Sequence, residues 1–496
     1  MYVRAVRIGW WIAALAVAAA SCGEGTPEGG TLERIRARGE IIWGADKQGG
    51  EPYVFEDPAD PTRLTGFEVD IMDALARRLG VKPRFVQFNW SNLMPSLERG
   101  DFDIAINGIE ATTERQARIL LSHPYFIYAE TLAVRTGSKV RSLADLKGKR
   151  VAVLNQTYAF DLVRSMPGVE AVLYEGVEEP YLDLANDRVD AVLLDNIVAD
   201  RYGCKMKGIT CLPDDIARGV YVVGVRKQDP ELLAAIDGAI DAMRADGELR
   251  RILEKWRLWD ARQTEPVPPI QSAPPSAPRS FDWAQAKLFM SAALVTLGLS
   301  VAAFLIAVPI GLLLAIGRLY GGAPIRFAAR GYIEIFRGTP VLLQLYVIYY
   351  GLAPYVALGP VQAAVLGLGL NYAAYEAEVY RGALLALPRG QTEAAQSLGM
   401  SPWQTLRHVL LPQALRLALP AMTNDFVALL KDSSLVSVIT VIELTKRMTI
   451  AAVDLHGWLL PGLACAALYF ALSYPLSELS RRLERRLARD QHPRAL

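Results

Sequence analysis

The sequence predicts two unlike folds on one polypeptide. The N-terminal half reads as a charged α/β unit, and the C-terminal half as an all-α unit of five membrane-crossing helices. Three observations carry this. Charge is spread evenly up to about residue 262 but gives way to long uncharged runs after about residue 283. Strand-period and helix-period apolar patterns alternate in the first half. A Pro- and Ser-rich stretch, TEPVPPIQSAPPSAPRS (264–280), separates the halves. A length of 496 residues already favours more than one domain. With 53 basic against 52 acidic residues, net charge gives no argument for nucleic acid.

The first 22 residues read as a targeting segment. Arg4 and Arg7 precede an apolar run from Trp11 to Ala20 that is short for a bilayer span. Ala19-Ala20-Ser21-Cys22 is similar to a lipoprotein cleavage site, although Ala19 stands where Leu is usual. Cys22 is therefore either a lipidation site or an ordinary residue of a signal peptide. In both cases the chain directly after the segment is exported. Cys204 and Cys211 enclose a short loop there, as a disulfide permitted by an oxidising compartment or as two free thiols. Cys465 lies in an apolar span and reads as packing. Four scattered histidines and four cysteines offer no metal-ligand spacing, so no metal site is expected.

Through residues 31–262, strands and helices alternate, which implies parallel sheets covered on both faces. Phe102, Ile104 and Ile106 keep strand period, while Ile71, Leu75 and Leu79 keep helical period. Val151 to Leu154 and Val189 to Leu194 read as buried strands. One long amphipathic helix is expected from about Leu232 to Trp256.

These residues resemble a family. LTGFEVDIMDALARRLG (64–80), W-x2-LMPSLERGDFDIAINGI (90–109), TTER (112–115), SHPY (122–125), LKGKRVAVL (146–154) and NDRVDAVLLD (186–195) match, in order and spacing, the periplasmic amino-acid-binding proteins of ATP-binding-cassette (ABC) importers. The resemblance implies a two-lobe, type II periplasmic binding fold. Lobe 1 would hold about 31–133 and 220–262, and lobe 2 about 138–215. The crossings between them are expected near Thr131–Gly137 and Gly219–Arg226. Such lobes close on an amino acid, a zwitterion that needs a cation for its carboxylate and an anion for its ammonium. Arg115 falls seven residues after Gly108, where the family's carboxylate-binding Arg falls, and its planar fork suits two oxygens. Asp195 matches the ammonium-binding acid. Asp46 matches an acid that contacts the ligand side chain, and Trp90 an aromatic that packs on it. Thr157 and Tyr158 complete the expected pocket.

Three departures matter. Glu110 stands where Ser or Thr is usual, Gln156 where Gly is common, and Tyr158 is large for its loop. Glu110, Asp46 and Asp195 would set three carboxylates against Arg115, a costly excess unless something offsets it. Either the ligand carries a cationic or strongly hydrogen-bonding side chain, or Glu110 is paired locally or protonated.

The linker (263–282) favours extended conformations and could reach roughly 50 Å at about 3 Å per residue. Beyond it, residues 283–488 read as a membrane domain. Leu288 to Gly317, two spans within Arg337 to Glu376 turning near Leu358-Gly359-Pro360, a polar-interrupted span at about Leu410 to Leu430, and Gly457 to Ser477 give five crossings. An exported N-terminal half then places Arg318, Arg326, Arg330 and the tail arginines Arg481, Arg482, Arg485, Arg486 and Arg489 inside, as the positive-inside bias requires. Lys446 and Arg447 would lie outside, against that bias. The expectation is therefore a multi-pass protein of the bacterial inner membrane with its binding domain outside.

Glu393-Ala394-Ala395, Gly399 four residues later and Val409-Leu410-Leu411-Pro412 resemble the loop shared by importer permeases, which docks in a cleft of the ATPase subunit. Two alanines would offer a low surface to the partner, and Gly399 a sharp turn. FRGTPVLLQL (336–345), NYAAYEAEVYRG (371–382) and TNDFVALLKDSSLVSVI (423–439) are similar to the branch serving polar amino acids and opines. Asn371, Glu376, Asn424, Asp425, Lys431 and Asp432 are polar at membrane depth, lining a translocation path or bonding between helices and subunits. No G-x-x-x-x-G-K-[ST] loop occurs; GKR at 148–150 lacks its surroundings. ATP and Mg therefore belong on a separate ATPase subunit, no cofactor is expected here, and two ATPase sites imply a permease homodimer. Two other classes share the binding fold: dehydratases of small carboxylates, for which Glu110 is the one acid–base candidate, and ligand-gated channels, which carry a filter loop not found here.

Overall fold

A computed structural model describes residues 30–213, 215–272, 281–356, 358–455 and 457–491. Cys22 and residues 273–280 of the Pro-rich stretch lie outside the described residues. The chain divides into two compact units, Met1–Ala129 with Ala217–Ser272, and Glu130–Ile216 with Ala273–Leu496. The crossings fall at Ala129/Glu130 and Ile216/Ala217, a few residues before the expected positions. The second α/β lobe also groups with the membrane half, a partition the sequence did not predict.

Unit 1 is built on a five-stranded sheet in the order Lys82–Gln87, Glu40–Ala45, Ile104–Ala105, Gly224–Val225, Leu120–Leu121. The first three strands are parallel. Helix Phe67–Leu79 covers the sheet because Phe67, Ile71, Leu75 and Leu79 recur every fourth residue and are all buried. The long helix expected over 232–256 is two helices, Pro230–Ala245 and Glu248–Lys255. Gly247 between them has φ +75°, a left-handed conformation that ends the first helix. The start of the linker is not a free tether. Gln271 is buried; its backbone exchanges hydrogen bonds with Ala111 and Thr113, its Oε1 accepts from the Tyr128 hydroxyl at 2.6 Å, and its Nε2 donates to the Arg218 carbonyl at 3.1 Å.

In unit 2 the sheet runs Ile209–Cys211, Glu130–Arg135 (the second part of strand Phe126–Arg135), Ala191–Asp195, Arg150–Leu154, Glu170–Tyr174. The last three are parallel, as the buried apolar runs predict. Cys204 and Cys211 are disulfide-bonded with Cα atoms 5.4 Å apart. Cys465 is buried and unoxidised.

The helical part of unit 2 is organised by helix Trp283–Tyr320. Ala303, Ala307, Gly311 and Ala315 form a buried small-residue stripe at every fourth position, facing helix Pro360–Leu385. A Cβ on Gly311 would lie 2.6 Å from the Glu376 Cβ and 2.9 Å from the Ala373 carbonyl, so only hydrogen fits. On the opposite face Leu294, Leu305 and Leu313 are exposed, the pattern of a helix with lipid on one side. Helices Trp283–Tyr320 and Leu459–Arg485 are long and apolar enough to cross a membrane, and Val341–Gly351 is a shorter apolar segment. Between them stand the amphipathic Ala323–Gly338, the more polar Pro360–Leu385 and Leu411–Asp432, and Leu444–Asp454.

Candidate functional site

In unit 1 the expected ligand residues converge on the ends of the parallel strands. Asp46 follows the first strand. Its carboxylate accepts from the Gln48 amide at 2.9 Å, the Gln87 side chain at 2.8 Å and the Trp90 amide at 2.7 Å. It therefore caps the start of helix Trp90–Arg99 and fixes Trp90 in place. Gly108 has φ +60°, and a Cβ there would meet the Tyr53 ring at 2.9 Å. Its amide donates to Glu68 Oε1 at 2.6 Å, which also accepts from the Tyr125 hydroxyl at 2.5 Å. Glu68 is completely buried, and burial pushes its carboxyl up to about 7.

Arg115 lies on the short helix Thr113–Arg118, whose N-cap Thr112 accepts from the Arg115 amide. Its Nη1 donates to the Glu110 carboxylate at 2.9 Å and to the Glu110 carbonyl at 2.8 Å. Its guanidinium carbon stands 5.4 Å from the centre of the Trp90 ring. The local partner of Glu110 is thus Arg115 itself. Glu110 is buried, so this pairing offsets its charge and aims the guanidinium.

In unit 2, Thr157 caps helix Tyr158–Ser165, accepting from the Phe160 amide at 3.3 Å and donating to the Leu154 carbonyl at 2.9 Å. Gln156, at the position where Gly is common, adopts φ +59°, which explains the family's preference for glycine there. Tyr158 is half-buried at the first position of that helix. Asp195 ends its strand directly opposite Glu130 across the antiparallel pair. Glu130 is fully buried, and the sequence reading missed it. The signal was a charged residue in the middle of the otherwise uncharged run FIYAETLAV.

The coupling loop is a helix–turn–helix. Helix Arg389–Ser397 closes with Gly399 at φ +79°, while the Met400 amide reaches back to the Ala395 carbonyl at 3.1 Å. Ser401 and Gln404 then form a capping box on Pro402–Thr405. Glu393 and Ala394 are exposed, but Ala395 is buried, so the low surface is one alanine and not two. Leu398 and Trp403 add exposed apolar area, which the sequence reading passed over.

The polar residues of the helical part separate. Asn371 is buried and donates to the Phe336 carbonyl at 3.0 Å and to Gln344 at 3.1 Å, an inter-helix bond. Glu376 is buried beside Gly311. Asp432 accepts from the Tyr372 hydroxyl at 2.8 Å. Asn424 and Lys431, two turns apart on helix Leu411–Asp432, are exposed in the single chain.

An α/β unit with a carboxylate-type binding constellation, followed by a helical unit with an exposed coupling loop, defines a solute receptor fused to a transport permease. Residues 41–258 match the family described as bacterial extracellular solute-binding proteins, family 3. Residues 307–489 match the binding-protein-dependent transport system inner membrane component. The chain is similar to the L-cystine transport system permease protein TcyB of Bacillus subtilis, with 37% identity over 196 residues, covering 39% of this chain and 84% of that protein. It is similar also to the glutamine transport system permease protein GlnP of Escherichia coli, with 38% identity over 208 residues, 41% of this chain and 95% of that protein. Among solved structures, an ancestral arginine-binding protein bound to arginine shares 32% identity, over 44% of this chain and 98% of that one, with a TM-score of 0.42.

The chain belongs to the amino-acid ABC transporter permeases and carries its solute-binding domain on the same polypeptide. It is a transporter subunit and not an enzyme, it serves with an ATPase subunit and an amino-acid ligand, and it sits in the inner membrane with the binding domain outside the cytoplasm.

Proposed function

We propose that this subunit captures an amino acid with a cationic side chain outside and releases it to the cytoplasm. The observation that carries the substrate class is the register pairing of Asp195 with Glu130. Two facing carboxylates make the local potential negative and so favour a ligand that carries extra positive charge, and an amino acid with a cationic side chain brings two positive groups. In this reading Arg115 takes the α-carboxylate, Asp195 the α-ammonium and Glu130 the side-chain cation. Trp90 packs on the aliphatic stem, and Thr157 and Tyr158 supply the helix start beside it. Glu110 orients Arg115. Gly108 lets the loop pass close by. Asp46, whose oxygens serve Gln48, Gln87 and Trp90, acts through Trp90 and not by touching the ligand.

The binding half is taken as a type II fold and the permease as five crossings, making the chain multi-pass. Helices Pro360–Leu385 and Leu411–Asp432 have 26 and 22 residues, or about 39 and 33 Å at about 1.5 Å per residue, enough for a bilayer. Exposed Asn424 and Lys431 on a membrane helix call for protein or water against them. That supports a homodimer with the translocation path along this face, with Glu376 a further candidate for the path, whereas buried Asn371 bonds helices together. Glu393, Ala394 and Gly399 form the contact with the ATPase, which holds ATP and Mg; Ala395 anchors the helix from behind. Cys22 remains the proposed lipidation site.

Calorimetric titration of the full-length protein in lipid nanodiscs with each of the twenty amino acids tests the substrate class. Tight binding of a basic amino acid supports it. Binding confined to acidic or apolar amino acids, or no binding, overturns it.

A further inference from the structure

Within unit 2, a buried polar cluster joins the second α/β lobe to the permease. Arg188, 7% exposed, pairs with Asp183, 1% exposed, through Nη1–Oδ1 at 2.9 Å. Both side chains also engage Tyr349, which belongs to the short apolar segment Val341–Gly351. The Tyr349 hydroxyl donates to Asp183 Oδ2 at 2.7 Å, beside the Tyr174 hydroxyl at 2.6 Å. Arg188 Nη2 donates to the Tyr349 carbonyl at 2.8 Å, and the guanidinium carbon lies 3.8 Å from the centre of the Tyr349 ring. A second contact lies on helix Leu444–Asp454. Lys446, 5% exposed, pairs with Glu175 at 3.2 Å, and Ile450 packs against the apolar core of the lobe.

A surface ion pair is weak, and Glu175 is exposed, so the Lys446 pair is the lesser contact; Asp183 and Arg188 are both buried, paired with each other and hydrogen-bonded to Tyr349. An accidental contact would leave such buried charges uncompensated. The contact also accounts for Lys446, a cation on the outer side against the positive-inside bias: its counter-charge is Glu175 of the lobe.

We propose that the second lobe is a standing dock, seated on the permease segment of its own chain by the Asp183–Arg188–Tyr349 cluster and the Glu175–Lys446 pair, with or without amino acid. The receptor then has no separate diffusional docking step, because the linked lobe stays at high effective concentration over its permease.

Nitroxide labels at Ser165→Cys and Tyr355→Cys, on a Cys465→Ser background, test this by pulsed dipolar distance measurement on the full chain in nanodiscs without added amino acid. The expected result is one narrow distance. It broadens and lengthens in Tyr349→Leu and in Lys446→Glu, which leave the lobe's own sequence intact, and the charge swap Glu175→Lys with Lys446→Glu restores it. A broad distribution in the parent overturns the proposal, as does a narrow one unchanged by both permease-side substitutions or a charge swap that fails to rescue.

Discussion

Asp195 and Glu130 face each other across two antiparallel strands of unit 2, the second of them fully buried. A carboxylate in that position strengthens the hold on a cation and penalises a neutral ligand. Glu130→Gln keeps the shape and removes the charge. It is expected to weaken a basic amino acid by about ten- to a hundred-fold, the size of one charge-assisted hydrogen bond, while leaving glutamine affinity unchanged or raised. Paired titrations with arginine and glutamine read this directly; equal losses for both would remove Glu130 from ligand recognition.

Glu68 gives the receptor unit a pH dependence. Its carboxyl ordinarily titrates near 4.5 and stands at about 7 when folded, because burial disfavours the charged form. The folded state therefore holds the proton more tightly than the unfolded one. The associated stability is complete below about pH 4.5 and is lost as pH rises through about 7. The loss amounts to about 3 kcal/mol from that shift. Thermal melts of full-length protein followed by tryptophan fluorescence should show the receptor transition falling between pH 5 and pH 8, with the slope flattened in Glu68→Gln. An identical slope in the variant would assign the dependence elsewhere.

Gln271 clips the linker to the strands that carry Tyr128 and Arg218 and to Thr113, at the start of the Arg115 helix. Gln271→Ala leaves the buried Tyr128 hydroxyl without this acceptor, at about 1–3 kcal/mol. Limited proteolysis should then cut residues 265–272 faster than in the parent. An unchanged cleavage rate would mean the clip does not hold the linker.

Gly311 lies against the backbone of helix Pro360–Leu385, with no space for a methyl group. Gly311→Val must push the helices apart, at about 1–3 kcal/mol or more, and should lower the melting temperature of the permease in detergent. The exposed Gly298 on the same helix meets nothing within 4 Å, so Gly298→Ala should leave the melt where it is. Equal effects at both sites would contradict the close helix contact.

The alternation of strands and helices, the helix Phe67–Leu79 and the coupling turn at Gly399 were legible because local periodicity and glycine geometry specify them. The break at Gly247 was not, since a stripe such as Leu233, Ile236, Ile240 and Met243 continues plausibly past a single glycine. Glu130 was hidden for the opposite reason. It sits in a strand otherwise apolar, where only cross-strand register reveals that it meets Asp195. The alanine pair at 394–395 read as one surface because sequence alone does not give the rotation of a helix about its axis; the burial of Ala395 does. Lys446, expected on the outer side against the positive-inside bias, has a partner in Glu175, 271 residues away in sequence, which no local pattern could show.

Arg115, held by Glu110 and near the Trp90 ring, is the proposed receptor of the α-carboxylate. The most direct measurement titrates the parent and Arg115→Ala, full-length in nanodiscs, with the bound amino acid and with the amine that lacks its carboxyl group. The parent is predicted to prefer the amino acid by at least about a hundred-fold, as a bidentate charge-assisted pair implies, and the variant to lose that preference while still binding the amine. A variant that keeps the preference would place the carboxylate on some other group and contradict the account.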